Sequence, residues 1–263
     1  QASLISHQAL PAERILLERL KDCFQAYLEC ELSDRIRIND LMTTLTKGME
    51  MDLELFQGST AENIISLETQ DDLNRYTYYV AGCVGEYWTN LMCAHLPSLN
   101  KWDVEQMSNI GISFGKGLQL TNIVKDVAKD LNRGRCYIPT SLLKTAGLSP
   151  NDILQTQSWK SFQPILNTLI QQAAEYLNQG WEYTTAIPRS EVRLRLSCMW
   201  PILLGGETLK LVRNSPNVLN PNCQIKITRS CVYKVISLTT ISGGSSLIGT
   251  IYWKKLYNQL VIA

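Results

Sequence analysis

Two interleaved rows of side chains between Gln119 and Arg133 constrain this chain more than any other feature. Gln119, Asn122, Asp126, Asp130 and Arg133 recur at intervals of three and four. Side chains at that spacing share one face of a helix. Leu120, Val124, Val127 and Leu131 follow the same rhythm and make an adjacent apolar row. The stretch therefore predicts one helix that ends near Gly134. Its apolar row belongs in a core, which places two amides and two carboxylates beside that core.

Such a row suits a hard divalent cation, because Mg²⁺ takes oxygen ligands, typically one or two carboxylates plus substrate phosphates. Asn122 offers a neutral oxygen, Asp126 and Asp130 offer charged ones, and Lys125 can reach a phosphate. Two acids four residues apart also fit a plain solvated helix face, so at this point both readings stand. The upstream amides and apolar flanks favour a site.

Composition removes several other classes. A chain of 263 residues can bury a sizeable core. The net charge of +1 gives no basic face for nucleic acid. Eight cysteines lie scattered without a Cys-x-x-Cys, and His7 and His95 are the only histidines. Zinc ligation and a histidine-based triad thus have little material. The cysteines read as buried thiols in a reducing, cytoplasmic compartment. Residues 1–12 lack the basic start and apolar run of a secretory leader.

The rest of the chain reads as almost wholly helical. Helical spacing runs through residues 12–31 and again through 41–56, and Gly58 and Ser59 break it. A polar start at Thr69–Asp72 precedes one long apolar helix from Leu73 to Leu96. Residues 134–150 read as loop and turn, 162–186 and 191–212 as helices, and 214–222 as loop. A last helical stretch, 226–259, is weakened at 243–246. Val235–Ile251 is apolar but carries too many Ser, Thr and Gly for a membrane span.

A second stretch stands out: Tyr76-Thr-Tyr-Tyr-Val-Ala-Gly-Cys-Val-Gly-Glu86. Its two glycines each cost about 1 kcal/mol in a helix relative to alanine. They are expected to serve close approach, by a partner helix or by a ligand. Tyr76, beside an apolar wall of small residues, suits a cavity for a long hydrocarbon.

These stretches, in this order, resemble the squalene/phytoene synthase family. The likeness rests on Tyr76-x-x-Tyr-Val-Ala-Gly-x-Val-Gly-Glu86, on Gln119-Leu-x-Asn122-Ile-x-x-Asp126-x-x-x-Asp130, and on Arg135-x-Tyr-Ile-Pro139. Gly48-Met-x-Met-Asp-Leu53 and Arg195-Leu-x-Cys-x-Trp-Pro-x-Leu-Leu-x-Gly-x-Thr-Leu209 extend it, and the latter is most similar to bacterial squalene synthases. The resemblance implies a single all-α isoprenoid synthase domain, residues 1–263, around a central apolar cavity. It implies head-to-head condensation of two farnesyl diphosphates to squalene through a cyclopropyl diphosphate, with Mg²⁺ and NADPH as cofactors. Dehydrosqualene or phytoene as product, or a catalytically silent helical partner, are the alternatives.

Residue by residue, the resemblance makes Asn122, Asp126 and Asp130 metal ligands. Tyr76, Val80, Gln119, Lys125 and Trp200 become substrate-binding, and Tyr76 and Asp126 catalytic. Lys125 stands where many members carry Arg, which keeps the charge but loses the bidentate fork. Trp200 stands where some members carry Tyr. The family's first aspartate-rich motif is not found before Leu41, so the chain reads as N-terminally incomplete, with half a metal site. Peripheral association with a membrane, for product release, also follows from the resemblance. The helices carrying Tyr76 and Asp126 are expected to flank one cavity, with Asn122, Asp126 and Asp130 at its mouth.

Overall fold

A computed structural model of the chain describes residues 11–242 and 246–261. The architecture is all-α. It divides into two compact units, residues 1–43 and 44–263. In the first unit, α1 (Pro11–Glu18) and α2 (Leu20–Glu29) bury no residue, and large apolar side chains such as Ile15, Leu16, Phe24 and Leu28 are exposed. The helix α3 (Leu32–Leu55) begins in this unit and ends in the second.

The second unit holds the core. It comprises α4 (Gln70–Thr77), α5 (Cys83–His95), α6 (Val104–Leu131), α7 (Thr140–Lys144), α8 (Trp159–Ala186), α9 (Val192–Arg213), α10 (Arg229–Ile241) and α11 (Ser246–Val261). The predicted start at Thr69–Asp72 is a capping box. Thr69 Oγ1 accepts from the Asp72 amide, and the Asp72 carboxylate accepts from the Thr69 amide. The helix expected from Leu73 to Leu96 is not continuous. A π-turn, Tyr78–Gly82, separates α4 from α5. A single wide turn of five residues is too short to show a spacing of its own, so periodicity does not reveal it. The break expected at 243–246 falls where 243–245 lie outside the described residues, as does the leader reading over residues 1–10.

The helix α6 forms the spine of this unit, packed against α5, α8 and α9. Its apolar row behaves as the spacing predicts: Leu120, Val124, Val127 and Leu131 are all buried. The helix ends where expected. Gly134 takes a left-handed φ of 79°, and its amide donates to the Leu131 carbonyl at 2.9 Å. Directly beyond it lies a feature that the helical reading lacks. Residues β2 (Arg135–Cys136) pair in parallel with β1 (Ile65–Ser66). Two-residue strands are too short for any alternation to show in sequence. Their pairing brings the segment after α6 against the segment before α4.

Within α9, Pro201 sits inside the helix, so the Ser197 carbonyl lacks its helical donor. Arg195 on the same helix is buried and caps the end of α8, donating to the Ile187 and Thr185 carbonyls. A buried guanidinium on orphan carbonyls satisfies both partners at once. Among the described residues no helix is long and apolar enough to cross a membrane.

Candidate active site

An apolar cavity of about 290 Å³ opens between the π-turn, α5, α6, α8 and α9. Its wall includes Val80, Ala81, Val84, Gly115, Leu118 and Pro201. The small residues are there for two reasons. A Cβ on Gly115 would lie 2.3 Å from the Ala81 carbonyl oxygen, and Gly85 and Gly111 are in similar contact. The helices thus meet backbone to backbone. The same glycines, having no side chains, also leave room in the cavity beside that contact. Gly85 answers to both partner helix and cavity, whereas Gly82 packs against Ile112 and Tyr78 and does not line the cavity.

On α6 the wall of this cavity ends at Leu118. Gln119, Asn122, Asp126 and Asp130 follow on the same helix toward its C-terminus. Asn122 is exposed, while Gln119, Asp126 and Asp130 are half-buried. Lys125 Nζ pairs with Asp126 Oδ2 at 3.1 Å. Burial, and then the Asp126 carboxylate, push the Asp130 carboxyl up to about 6. Arg133, Lys129 and Arg135 offset part of that rise. The row thus sets two carboxylates, one of them costly to ionise where it lies, among Lys125, Lys129, Arg133 and Arg135. Two carboxylates and one amide are fewer than a full cage, and no cluster of three or more His, Cys, Asp or Glu arranged for a metal occurs among the described residues. That donor set fits Mg²⁺ when phosphate oxygens supply the rest.

Tyr76 is buried, and it does not line the cavity that Val80 lines. Its ring stacks on Tyr137, with centroids 4.8 Å apart and planes at 23°. Tyr137 in turn donates its hydroxyl to Asp52 Oδ1 at 2.6 Å. The other Asp52 oxygen accepts from Arg135 Nη1, also at 2.6 Å. Burial holds the Tyr76 phenol above its ordinary value, and the Asp52 and Asp130 charges add to that. Burial followed by the Asp52 hydrogen bond raises Tyr137 further. Tyr76 is thus a neutral phenol at physiological pH, within the electrostatic reach of Asp130.

Trp200 stands apart from this group. Its indole N–H donates to Thr239 Oγ1 on α10 at 2.8 Å, and the residue does not line the cavity. The sequence reading also passed over Asp52, Arg135 and Tyr137 as individual participants. All three lie in motifs that carried the resemblance, at Gly48–Leu53 and Arg135–Pro139. Their mutual contact depends on the β1–β2 pairing, which periodicity does not disclose.

Comparisons with known proteins bear on the family and the fold. The family profile described as squalene/phytoene synthase matches residues 6–230. The chain is 32% identical over 213 residues to the chloroplastic phytoene synthase 2 of Solanum lycopersicum, covering 77% of this chain and 61% of that protein. The chain thus spans about three fifths of that relative's length. Among solved structures, TcSQS in complex with the ligand BPH1237 superposes with a TM-score of 0.75 at 20% identity, over 97% of this chain and 75% of that one. The squalene synthase HpnC from Alicyclobacillus acidocaldarius superposes with a TM-score of 0.53 at 21% identity, over 66% of this chain and 59% of that one. At such identities the structural likeness is one of fold, the all-α isoprenoid synthase fold. The match over residues 6–230, the ordered motifs and the shared fold lead to one conclusion: the chain belongs to the squalene/phytoene synthase family.

Proposed function

We propose that the protein condenses two farnesyl diphosphates head to head into squalene, through a cyclopropyl diphosphate, using Mg²⁺ and NADPH. The observation that carries this reading is the carboxylate pair Asp126 and Asp130, placed on the helix that also walls the apolar cavity. Breaking an allylic C–O bond leaves its electron pair on the diphosphate and a cation on the prenyl chain. Asn122, Asp126 and Asp130 would hold Mg²⁺, which when bound supplies positive charge against the leaving diphosphate. Lys125, paired with Asp126, and Arg135, just beyond the end of the helix, would add cationic donors. The cavity keeps water from the carbocation until the second prenyl chain attacks it. Closing the cyclopropane releases a proton, and the buried neutral phenol of Tyr76 is suited to hydrogen-bond the oxygen that accepts it. Gln119 lies next in the row for diphosphate contact. The hydride step is assigned to no residue: the sequence has no Gly-x-Gly-x-x-Gly loop, and no cluster described above fits a nicotinamide nucleotide.

A second reading, phytoene or dehydrosqualene synthesis without reduction, draws on the 32% identity to a phytoene synthase. One experiment separates the two. The full-length protein is incubated with farnesyl or geranylgeranyl diphosphate and Mg²⁺, with and without NADPH, and the hydrocarbon is identified by mass. Squalene that appears only with NADPH supports the first reading. Phytoene from the longer substrate supports the second, and no hydrocarbon from either substrate overturns both.

A further inference from the structure

We propose that Asp52 is a positioning residue of this site, fixing the Arg135 guanidinium over Phe56 and holding the Tyr137 ring against Tyr76. The role assigned to the guanidinium rests on the diphosphate chemistry proposed above.

Both oxygens of Asp52 are engaged, one by the Arg135 guanidinium and one by the Tyr137 hydroxyl, each at 2.6 Å. The Asp52 side chain is only 17% exposed. Charge-assisted bonds of this length, shielded from water, are the strong kind. The two donors come from one short segment, residues 135–137, and the acceptor from α3. The β1–β2 pairing fixes the segment, with the Ile65 amide donating to the Gly134 carbonyl at 2.9 Å. On the other side, α3 is seated one turn before Asp52. There a Cβ on Gly48 would meet Val80 Cγ1 at 2.9 Å. The carboxylate is thus held between two surfaces that are themselves fixed.

The surroundings of Arg135 and Tyr137 complete the arrangement. The Arg135 guanidinium lies over the Phe56 ring at 5.5 Å, and the buried Phe56 meets Tyr137 edge-on at 5.1 Å. Arg135 and Asp130 interact electrostatically. Arg carries five N–H donors in a fixed fork, and one Nη1 hydrogen goes to Asp52. Once that bond sets the plane, the directions of the other donors are set too. A long side chain otherwise loses rotamer freedom when it is ordered. Donors oriented before charge develops need no reorganisation as the bond breaks.

The test uses the full-length protein and two variants, Asp52→Asn and Tyr137→Phe. The first keeps the shape and removes the charge. The second removes only the phenol bond. Three quantities are measured: kcat and KM with farnesyl diphosphate, affinity for inorganic pyrophosphate with Mg²⁺ by calorimetry, and rotation of the Arg135 guanidinium by ¹⁵N NMR. In the wild type the guanidinium hydrogens should be resolved and slow to rotate. Asp52→Asn should average them and lower kcat at least tenfold. KM and pyrophosphate affinity should stay within about threefold, because Arg135 and its charge remain. Tyr137→Phe should move kcat in the same direction by less. It serves as the deciding variant if Asp52→Asn does not fold. Freely rotating Arg135 hydrogens in the wild type overturn the proposal. So does an unchanged kcat in the folded Asp52→Asn variant or, where only Tyr137→Phe folds, in that one. A kcat loss matched by an equal loss of pyrophosphate affinity overturns it as well. If the wild type yields no hydrocarbon, the diphosphate chemistry fails by itself, and the NMR signal decides whether Asp52 positions Arg135.

Discussion

Gly85 of α5 and Gly111 of α6 meet with no side chain between them: a Cβ built on Gly85 would lie 1.9 Å from the Gly111 carbonyl oxygen. No real Cβ tolerates that distance from a fixed backbone atom, so the helices would have to separate. Gly85→Ala should therefore destabilise the protein by about 3 kcal/mol, at the upper end of overpacking effects. Thermal melting reads this directly. Gly147→Ala is the control, since no atom lies within 4 Å of its Cβ and only its φ of 67° is strained. Equal melting of the Gly85 variant and the wild type would mean that the two helices are not in this contact.

Asp126→Ala should abolish most turnover, by at least about a hundredfold, because the leaving diphosphate loses the charge compensation held through this carboxylate. Folding should change little. The Asp126 side chain is 37% exposed, and its pair with Lys125 is a surface-type ion pair worth at most about 1 kcal/mol. Near-normal turnover with an intact melting curve would count heavily against the metal role.

Asp130 gives a prediction with a pH signature. Its carboxyl titrates near about 6 in the folded chain, against 3.8 when unperturbed. An acid with a raised folded pKa favours its protonated form. Its stabilising contribution is complete below the unfolded value and is lost as pH rises through about 6. In metal-free protein, Asp130→Asn should match the wild type in stability near pH 4 and exceed it at pH 7.5. The gain should be about 1 kcal/mol after allowance for solvent screening of a half-exposed group. Melting both proteins across that range checks the sign. A difference independent of pH would place the effect in packing instead.

What sequence could reveal here followed helical spacing and local chemistry. The two rows of α6, its end at Gly134, the polar helix start at Thr69 and the close approach at Gly85 are all local patterns with fixed physical causes. They were legible for that reason. The π-turn at Tyr78–Gly82 was not, since one wide turn within a helical run is too short to leave a spacing of its own. Nor was the link from Asp52 to Arg135 and Tyr137, whose members lie more than eighty residues apart. It depends on a two-residue strand pairing that no alternation announces. The resemblance marked both of those segments without saying that they touch. The bond from the Trp200 indole N–H to Thr239 of α10 was not legible either, since the two residues lie on different helices.

The last prediction concerns Mg²⁺ and diphosphate together. Mg²⁺ dehydrates reluctantly and is usually held by one or two carboxylates plus phosphate oxygens. Asp126, Asp130 and the Asn122 amide supply only part of a shell, so Mg²⁺ alone should bind weakly to this chain. Inorganic pyrophosphate should tighten it at least tenfold. By linkage, Mg²⁺ must then tighten pyrophosphate by the same factor. Calorimetric titrations in both orders test the reciprocity within one protein. The coupling should weaken below about pH 6, where Asp130 takes up a proton. It should shrink in Asp130→Asn, which keeps an oxygen but not its charge. Tight Mg²⁺ binding without pyrophosphate would mean that residues outside this row complete the site. Pyrophosphate binding indifferent to Mg²⁺ would mean that Lys125 and Arg135 hold the diphosphate without help from the carboxylates.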